Sequence, residues 1–392
     1  MIVRFIAYNI YGMGGTVRTV VNTANYLVEN GYKVEIISLR KTSEKPLFNI
    51  NKNIKITPLM DITKSRRTLS PKKEFLYKKL CKIPSFLFDK NEDLYSMLNL
   101  LIDVKLYRKL KKIKHGVLVT TIPSLNVMSV KYVHNNVIKI GQEHRTLDVH
   151  KKSIQKKIKK YYHKLDAITC LTDKDVDNYK KVITNSNILI EKIENATDIQ
   201  YQSSNLSNKE IISAGRFSEE KGFDLLIRAF DKAVKKAKDK HWKLKIYGNG
   251  ALKNSYIKLI NELGCQEKIT ISPTSKTLVD DIKESSIYAL ASRSESFGMV
   301  LIESMSVGVP CVSFACEGPK EVIRHEEDGI LVENENIDKF AEGLVALMDN
   351  YDERKRLGEN AKINSQRYSM DKIGEKWTKL INRLEKTKRN KR

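Results

Sequence analysis

The chain has 392 residues, enough for two domains of ordinary size, and an apolar content of 41% supports packed cores and excludes wholesale disorder. A formal charge of +24 invites anionic partners such as nucleic acid, anionic lipid or an anionic polymer, although a solvated basic face in a lysine-rich proteome would give the same balance. No apolar run approaches the roughly 20 residues that span a bilayer, and Cys81, Cys170, Cys265, Cys311 and Cys316, odd in number and without a Cys-x-x-Cys pair, read as reduced thiols and suggest no zinc site.

The first strand is expected at Val3–Tyr8, a helix at Thr16–Asn30 and a second strand at Tyr32–Leu39. The start lacks the basic region, longer apolar stretch and small-residue cleavage site of a secretory signal, so a cytoplasmic protein is expected. Between these elements stands Gly12-Met-Gly14-Gly15-Thr16. Glycines there let a backbone approach a phosphate or a sugar, but the G-x-G-x-x-G spacing is absent. Leu39-Arg40-Lys41 also ends the second strand where a dinucleotide site carries an acid, so NAD is not expected. A plain tight turn is the simpler alternative.

Basic residues then accumulate. Residues 1–200 hold 37 Lys/Arg against 18 Asp/Glu, whereas residues 201–392 hold 34 against 29. The excess clusters in Lys64–Lys114 and Lys151–Lys164. Regular alternation fails between residues 60 and 115, where helices are expected. Leu100, Leu101, Val104 and Leu106 beside the Lys/Arg of Lys105–Lys114 suit a basic amphipathic helix, which can lie on an anionic membrane surface or simply pack on a core. A peripheral location at the inner face of the cell membrane follows as an expectation.

Short β-rich strands are expected at Val117–Thr121, Val137–Gly141 and Ala167–Leu171. Gly141-Gln-Glu143-His144-Arg145 follows the second of these, so His144 should project at a strand's carboxyl end, where it could bond a sugar hydroxyl or support developing charge. Glu143 is the weaker neighbour. Asp173-x-Asp175-x-Asp177 falls at a helix start, where acids serve as caps. The polar stretch Asn195–Asn208, with Gln200, Gln202, Ser203, Ser204 and Asn205, reads as the hinge.

A second cycle begins with a strand at Ile211–Ala214 and a helix at Phe223–Ala237. It continues with the strand Trp242–Tyr247 and the helix Leu252–Leu263. Strands follow at Ile269–Ile271, Ile287–Ala291 and Pro310–Phe314, with Val300–Val307 helical between the last two. Ile337–Asp349, Asp352–Tyr368 and Met370–Glu385 are expected helices before a basic tail, Lys386–Arg392. Strands alternating with helices in both halves give an α/β fold class: two Rossmann-like domains with parallel sheets facing across a cleft, ligands gathering at the carboxyl ends of the strands.

Three pieces of this second cycle suit a diphosphate. Arg216 and Lys221, five apart after the first strand, are two cations at a strand's carboxyl end. The Gly248-Asn-Gly250 turn follows another strand. Glu295 and Glu303 lie eight positions apart across a loop-to-helix junction, so that a helix starting near Gly298 or Met299 aims its free N–H groups and positive dipole end at an anion.

In order, these pieces resemble the retaining family 4 glycosyltransferases of GT-B fold. The carriers are Ala214-Gly-Arg-Phe, Glu220-Lys-Gly, Gly248-x-Gly250, Ser292-Arg-Ser-Glu-Ser-Phe-Gly-Met-Val-Leu-Ile-Glu303, Ser304-Met-Ser-Val-Gly-Val-Pro310 and the Asp328-Gly329-Ile-Leu-Val turn. The resemblance is dense over 211–335 and looser before it. It implies that Arg216 and Lys221 hold a donor diphosphate, by family default that of a UDP-sugar, that Glu303 binds the ribose, and that Glu295 contacts the transferred sugar. Backbone groups of Phe297, Gly298, Met299 and Val300 would meet sugar and phosphates. Gly248 would line the donor, Gly14 and Gly15 would border donor and acceptor, and His144 would sit beside the anomeric centre. Thr16, Arg18 and Glu143 are the expected acceptor contacts.

The resemblance further implies retention of configuration with no metal and no cofactor, and an acceptor-side domain over 1–196. The terminal helix, 369–392, would cross back onto that domain, with a donor domain over 207–368. With the basic first half, it points to a cell-surface glycan, a teichoic-acid-like polymer or a lipid-linked acceptor. A nucleotide-sugar epimerase of the same fold and a non-catalytic anionic-polymer-binding protein are the alternatives. Nucleic acid is not expected, since no nucleic-acid motif accompanies the charge.

Overall fold

A computed structural model describes residues 1–63, 71–184, 187–197, 201–275 and 277–390, the side chains of 71–73 excepted. Residues 64–70 of the expected basic cluster, Gln200 of the expected hinge, and Lys391 and Arg392 of the expected tail lie outside the described residues. The chain divides into two compact units, residues 1–196 together with the helix Met370–Asn390, and residues 197–369.

The first unit is built on seven parallel strands: β1 Ile2–Ala7, β2 Lys33–Lys41, β3 Lys55–Asp61, β4 Val117–Thr120, β5 Ile138–Gln142, β6 Ala167–Cys170 and β7 Leu189–Lys192. Their order is β3-β2-β1-β4-β5-β6-β7. The central strands are apolar on both faces, as a sheet covered by helices requires, and Val3 pairs with Val34 on one side and Val117 on the other. On one face the helices Gly15–Glu29 and Met370–Asn390 pack together, with Trp377 edge-on to Phe5 at 6.5 Å. A methyl at Gly374 would stand 2.4 Å from the Tyr26 ring, so a glycine is what lets these two helices close. The other face carries Leu100–Lys111, whose buried Ile102, Leu106 and Leu110 follow the i, i+4, i+8 spacing of one stripe.

The second unit has six parallel strands: β8 Glu210–Arg216, β9 Lys243–Asn249, β10 Ile269–Ser272, β11 Ile287–Leu290, β12 Cys311–Phe314 and β13 Gly329–Val332, ordered β10-β9-β8-β11-β12-β13. Phe223–Lys236 and Ile337–Asp349 cover one face with Leu226, Phe230, Phe340 and Leu344 fully buried. In each sheet the strand order reverses beside the first strand, at β1/β4 and at β8/β11, the crevice where open α/β sheets take ligands.

Several local expectations change. The terminal helix runs on to Asn390, so Lys386–Asn390 is no loose tail, and Lys388 bonds Asp166 at 2.8 Å. Of the expected turn Asp328-Gly329-Ile-Leu-Val only Asp328 lies in a turn, and Gly329–Val332 is β13. Residues 201–208 of the expected hinge are tied to the second unit, through Ser204 Oγ to the Ser285 carbonyl and Lys362 Nζ to the Tyr201 carbonyl, with Leu206 buried. All five cysteines are free thiols. Among the described residues no helix is long and apolar enough to cross a membrane.

Candidate functional site

The strand β8 ends at Arg216, which is exposed and makes no side-chain hydrogen bond or ion pair among the described residues. The next residue, Phe217, turns inward onto Phe223 and Tyr256, fixing where the following loop leaves the sheet. That loop forms a short 3-10 turn, Glu219–Lys221, and stops at Gly222, whose φ of 60° is left-handed. A methyl on Gly222 would stand 1.9 Å from the Ala291 carbonyl oxygen, so the loop after β8 rests directly on the end of β11.

The two loops are stitched together. The Arg293 N–H donates to the Glu220 carbonyl at 2.8 Å. The Arg293 guanidinium grips both Asp224 oxygens at 2.9 and 2.7 Å and also donates to Glu219 O and Glu335. Burial alone would raise the Asp224 carboxyl, but Arg293 overcomes it and holds the group below its ordinary range. Arg293 lies inside the quoted Ser292–Glu303 string, yet sequence reasoning gave it no role. Its partners at 224 and 335 are remote in sequence, and spacing alone carries no signal of them.

Across this seam Lys221 Nζ meets Glu295 Oε2 at 2.6 Å, both side chains mostly buried. The buried hydroxyls of Ser218 and Ser292 lie on the same two loops and have no partner among the described residues. Cys316 bonds the Ser292 carbonyl through Sγ, and burial, with the Glu295 charge, pushes its thiol up to about 12, which keeps it protonated and unreactive.

Beyond Glu295 the chain threads past Gly318, whose N–H donates to the Glu295 carbonyl at 2.9 Å and where a methyl would stand 2.5 Å from the Phe297 nitrogen. Phe297 is buried edge-on to Tyr368 at 5.6 Å. Gly298, at a φ of 87°, caps the helix Met299–Ser306. The Leu301 N–H donates to the Gly298 carbonyl at 2.9 Å, and the first turn carries the positive end of the dipole. Met299 and Val300 are half-buried in that turn. Glu303, one turn further on, is only 3% exposed.

The structure therefore brings Lys221 and Glu295 into contact, sets Arg216 on the neighbouring strand end, and places the Met299 helix directly after Glu295. Gly248 has a different duty. A methyl there would stand 2.1 Å from the Gly215 carbonyl oxygen and 2.5 Å from the Phe217 ring, so this glycine is needed for β8–β9 packing whatever it borders.

In the first unit, Gly14 caps the helix Gly15–Glu29 at a φ of 147°, and both glycines are exposed. Thr16 is half-buried in the first turn, and the Arg18 guanidinium lies 5.2 Å from the Phe48 ring centre. Glu143 faces inward. Its N–H pairs with Thr169 O and its carboxylate turns into the unit, 3% exposed, taking bonds from Asn126 Nδ2 at 2.7 Å and the Tyr162 hydroxyl at 2.5 Å. His150 Nε2 stands 3.7 Å away. The carboxylate is engaged inside the unit, and an acceptor contact by Glu143 stays an expectation.

The next residue, His144, is half-buried, and its Nε2 is buried with no partner among the described residues. Burial pushes its imidazole down to about 4 against the opposing pull of Glu143, so it is neutral at pH 7. A neutral ring can bond a hydroxyl but offers no positive charge. Asp175 holds the Leu147 N–H at 3.2 Å and its own helix start through Thr172, and burial raises it to about 6. The N-cap is Thr172, whose hydroxyl oxygen accepts from the Asp175 N–H at 3.1 Å, so Asp175 is a first-turn acid that ties down the Leu147 loop and is not itself the cap. Among the described residues no group of three or more His, Cys, Asp or Glu is placed to hold a metal ion.

Residues 195–364 match the model of a family described as glycosyl transferases group 1. Over 381 residues, 96% of this chain and 99% of the other, the sequence is 27% identical to an uncharacterized glycosyltransferase of Haemophilus influenzae. It is also 29% identical, over 64% of this chain and 52% of the relative, to a poly(ribitol-phosphate) alpha-N-acetylglucosaminyltransferase of Staphylococcus aureus. Among solved structures, a mutant of TarM from S. aureus in complex with fondaparinux, alpha-GlcNAc-glycerol and UDP superposes with a TM-score of 0.78 at 18% identity, covering 97% of this chain and 99% of that one. The fold is thus that of the GT-B proteins, and the family match supports a glycosyltransferase.

Proposed function

We propose that the chain is a retaining glycosyltransferase of family 4. It moves a hexose or N-acetylhexosamine from a UDP-sugar to a hydroxyl of a cell-surface glycan, a teichoic-acid-like polymer or a lipid-linked acceptor. The observation that carries this is the 2.6 Å Lys221–Glu295 pair, set between the loops after β8 and β11 and directly before the Met299 helix. The UDP in the TarM complex and the ribitol-phosphate polymer in the name of the S. aureus relative support the donor and acceptor classes.

In this reading Arg216, Lys221 and the N–H groups of Phe297 to Val300 receive the diphosphate, Glu303 the ribose, and Glu295 the sugar hydroxyls. Lys221 and Glu295 hold one another until a donor arrives. The phosphate then draws the ammonium, and the freed carboxylate accepts from the sugar. The bond from the anomeric carbon to the diphosphate oxygen breaks, with the accumulating negative charge stabilised by the two cations and the helix dipole, and no metal is invoked. The acceptor oxygen bonds the same carbon from the leaving-group face, and its proton passes to the departing diphosphate. Acceptor recognition is assigned to Gly14, Gly15, Thr16 and Arg18, with neutral His144 donating or accepting one hydrogen bond.

A panel of nucleotide sugars, scored for thermal stabilisation and slow hydrolysis on wild type and Glu295→Ala, tests this. One donor should be strongly preferred by wild type, and Glu295→Ala should lose turnover while keeping part of the binding. Equal inertness towards every donor would sink the reading.

A further inference from the structure

Away from the donor loops, the crossover from β3 to β4 builds a second surface. The helix Pro71–Lys82 lies against Leu100–Lys111, turning Tyr77 towards Lys105, whose ammonium stands 6.0 Å from the ring centre, and half-burying Cys81. Its outer stripe is Phe75, Lys78, Lys79 and Lys82, spaced i, i+3, i+4, i+7, with Leu76 alongside. Phe75 is 71% exposed and Leu76 55%. Four residues past the helix end, Phe86 is 75% exposed.

Phe86 is exposed because the fold holds it there. Asp103, buried in the neighbouring helix, accepts from the N–H groups of Phe86 at 2.7 Å and Leu87 at 3.2 Å and from the Ser85 hydroxyl at 2.7 Å. Leu100 N–H bonds the Ile83 carbonyl and the Tyr95 hydroxyl bonds that of Ser85. The loop is anchored at every turn, and the ring is left outside.

Among the described side chains of residues 74–90, every exposed charge is a lysine. Lys78, Lys79, Lys82 and Lys90 are exposed, while the nearby acids are spoken for: Glu74 pairs with Lys78 at 2.7 Å, and Asp89 is buried against Lys157 at 2.8 Å. A second copy of the chain would set lysines against lysines, and a hydrophilic anionic polymer would leave two phenyl rings in water. Rings that enter the headgroup layer beside ammonium groups that meet lipid phosphates account for both features.

We propose that Phe75, Leu76 and Phe86, rimmed by Lys78, Lys79 and Lys82, form a docking surface for an anionic phospholipid bilayer. This stands apart from the donor-site reading and survives its failure. The test is flotation of the full chain with vesicles of phosphatidylcholine alone or mixed with phosphatidylglycerol. Wild type should partition to the mixed vesicles at least about tenfold more strongly, and salt should release it. The double variant Phe75→Ser, Phe86→Ser should lose about tenfold or more of that binding, and Lys79→Glu, Lys82→Glu a similar factor, with melting temperature unchanged because the side chains are exposed. Wild type that ignores both vesicles or binds them equally, or variants that float like wild type, would overturn the proposal. So would a concentration-dependent dimer that the serine variant abolishes, or capture by a soluble poly(polyol phosphate) with no vesicle binding.

Discussion

The two sheets share a strand order and a reversal beside the first strand, yet their loops at that reversal are built to different ends. In the second unit the charged groups of these loops are tied to each other: Arg293 grips Asp224, and Lys221 grips Glu295. Such pairs can exchange partners when an anion arrives. In the first unit the equivalent polarity is internal. Glu143 is locked among Asn126, Tyr162 and His150, His144 beside it is half-buried, and the Gly14-Gly15 turn is open. One unit keeps its ionic groups exchangeable, and the other spends them on holding a loop.

If that contrast is right, the largest effect comes from the exchangeable side. Lys221→Ala should lower turnover about 10²–10³-fold, the scale of removing one preorganised group from a developing anion, and Arg216→Ala should act similarly. Steady-state assays with the preferred donor would show it. A drop below threefold in both would end the assignment of the pair to leaving-group stabilisation. Next is the seam itself. Gly222→Ala forces a methyl into the Ala291 carbonyl at a left-handed backbone position, so it should cost about 3 kcal/mol or more in urea unfolding. Gly14→Ala, with nothing within 4 Å, meets only the backbone term of about 1 kcal/mol. Equal costs would mean that the β8 loop is not seated on β11.

On the internal side, Tyr162→Phe removes the hydroxyl that donates to Glu143 and leaves a buried carboxylate short of a bond. About 1–3 kcal/mol of stability should go, with donor binding unchanged. Loss of donor binding at intact stability would instead return Glu143 to the site.

Much of this was legible in the sequence, and what was not has a common cause. Central strands such as β1, β8 and β11 are mostly apolar runs, and all three were expected. The strands missed, β3, β7 and β13, each stand last in a sheet. With one flank open they need no such run: β7 is half-buried throughout and β3 contains Pro58, which an edge tolerates. The helix Lys152–Tyr161 was read as a charge run because only Ile154 and Ile158 are buried in it. In the site, the residue types and the helix start were visible, but not who meets whom. Lys221 and Glu295 are 74 positions apart, and the inward turn of Glu143 depends on Asn126 and Tyr162 from other elements.

The smallest effect sharpens the first unit's side. His144 is held near 4 when folded against 6.5 when unfolded, so the folded state resists its protonation. The group's contribution is fully present above the unfolded value and is lost as pH falls from 6.5 towards 4. Relative to His144→Gln, wild type should therefore lose on the order of 1–2 kcal/mol between pH 7 and pH 5. Asp175 shifts the opposite way, up to about 6, and its penalty eases over the same interval in both proteins, so the difference between them isolates the imidazole. Urea unfolding of the pair at the two pH values measures it. A neutral ring also means that turnover should show no His144 limb between about pH 5.5 and 8. A limb near 6.5 that disappears in His144→Gln would show the ring to be solvated and chargeable, and would reopen its use as a cation.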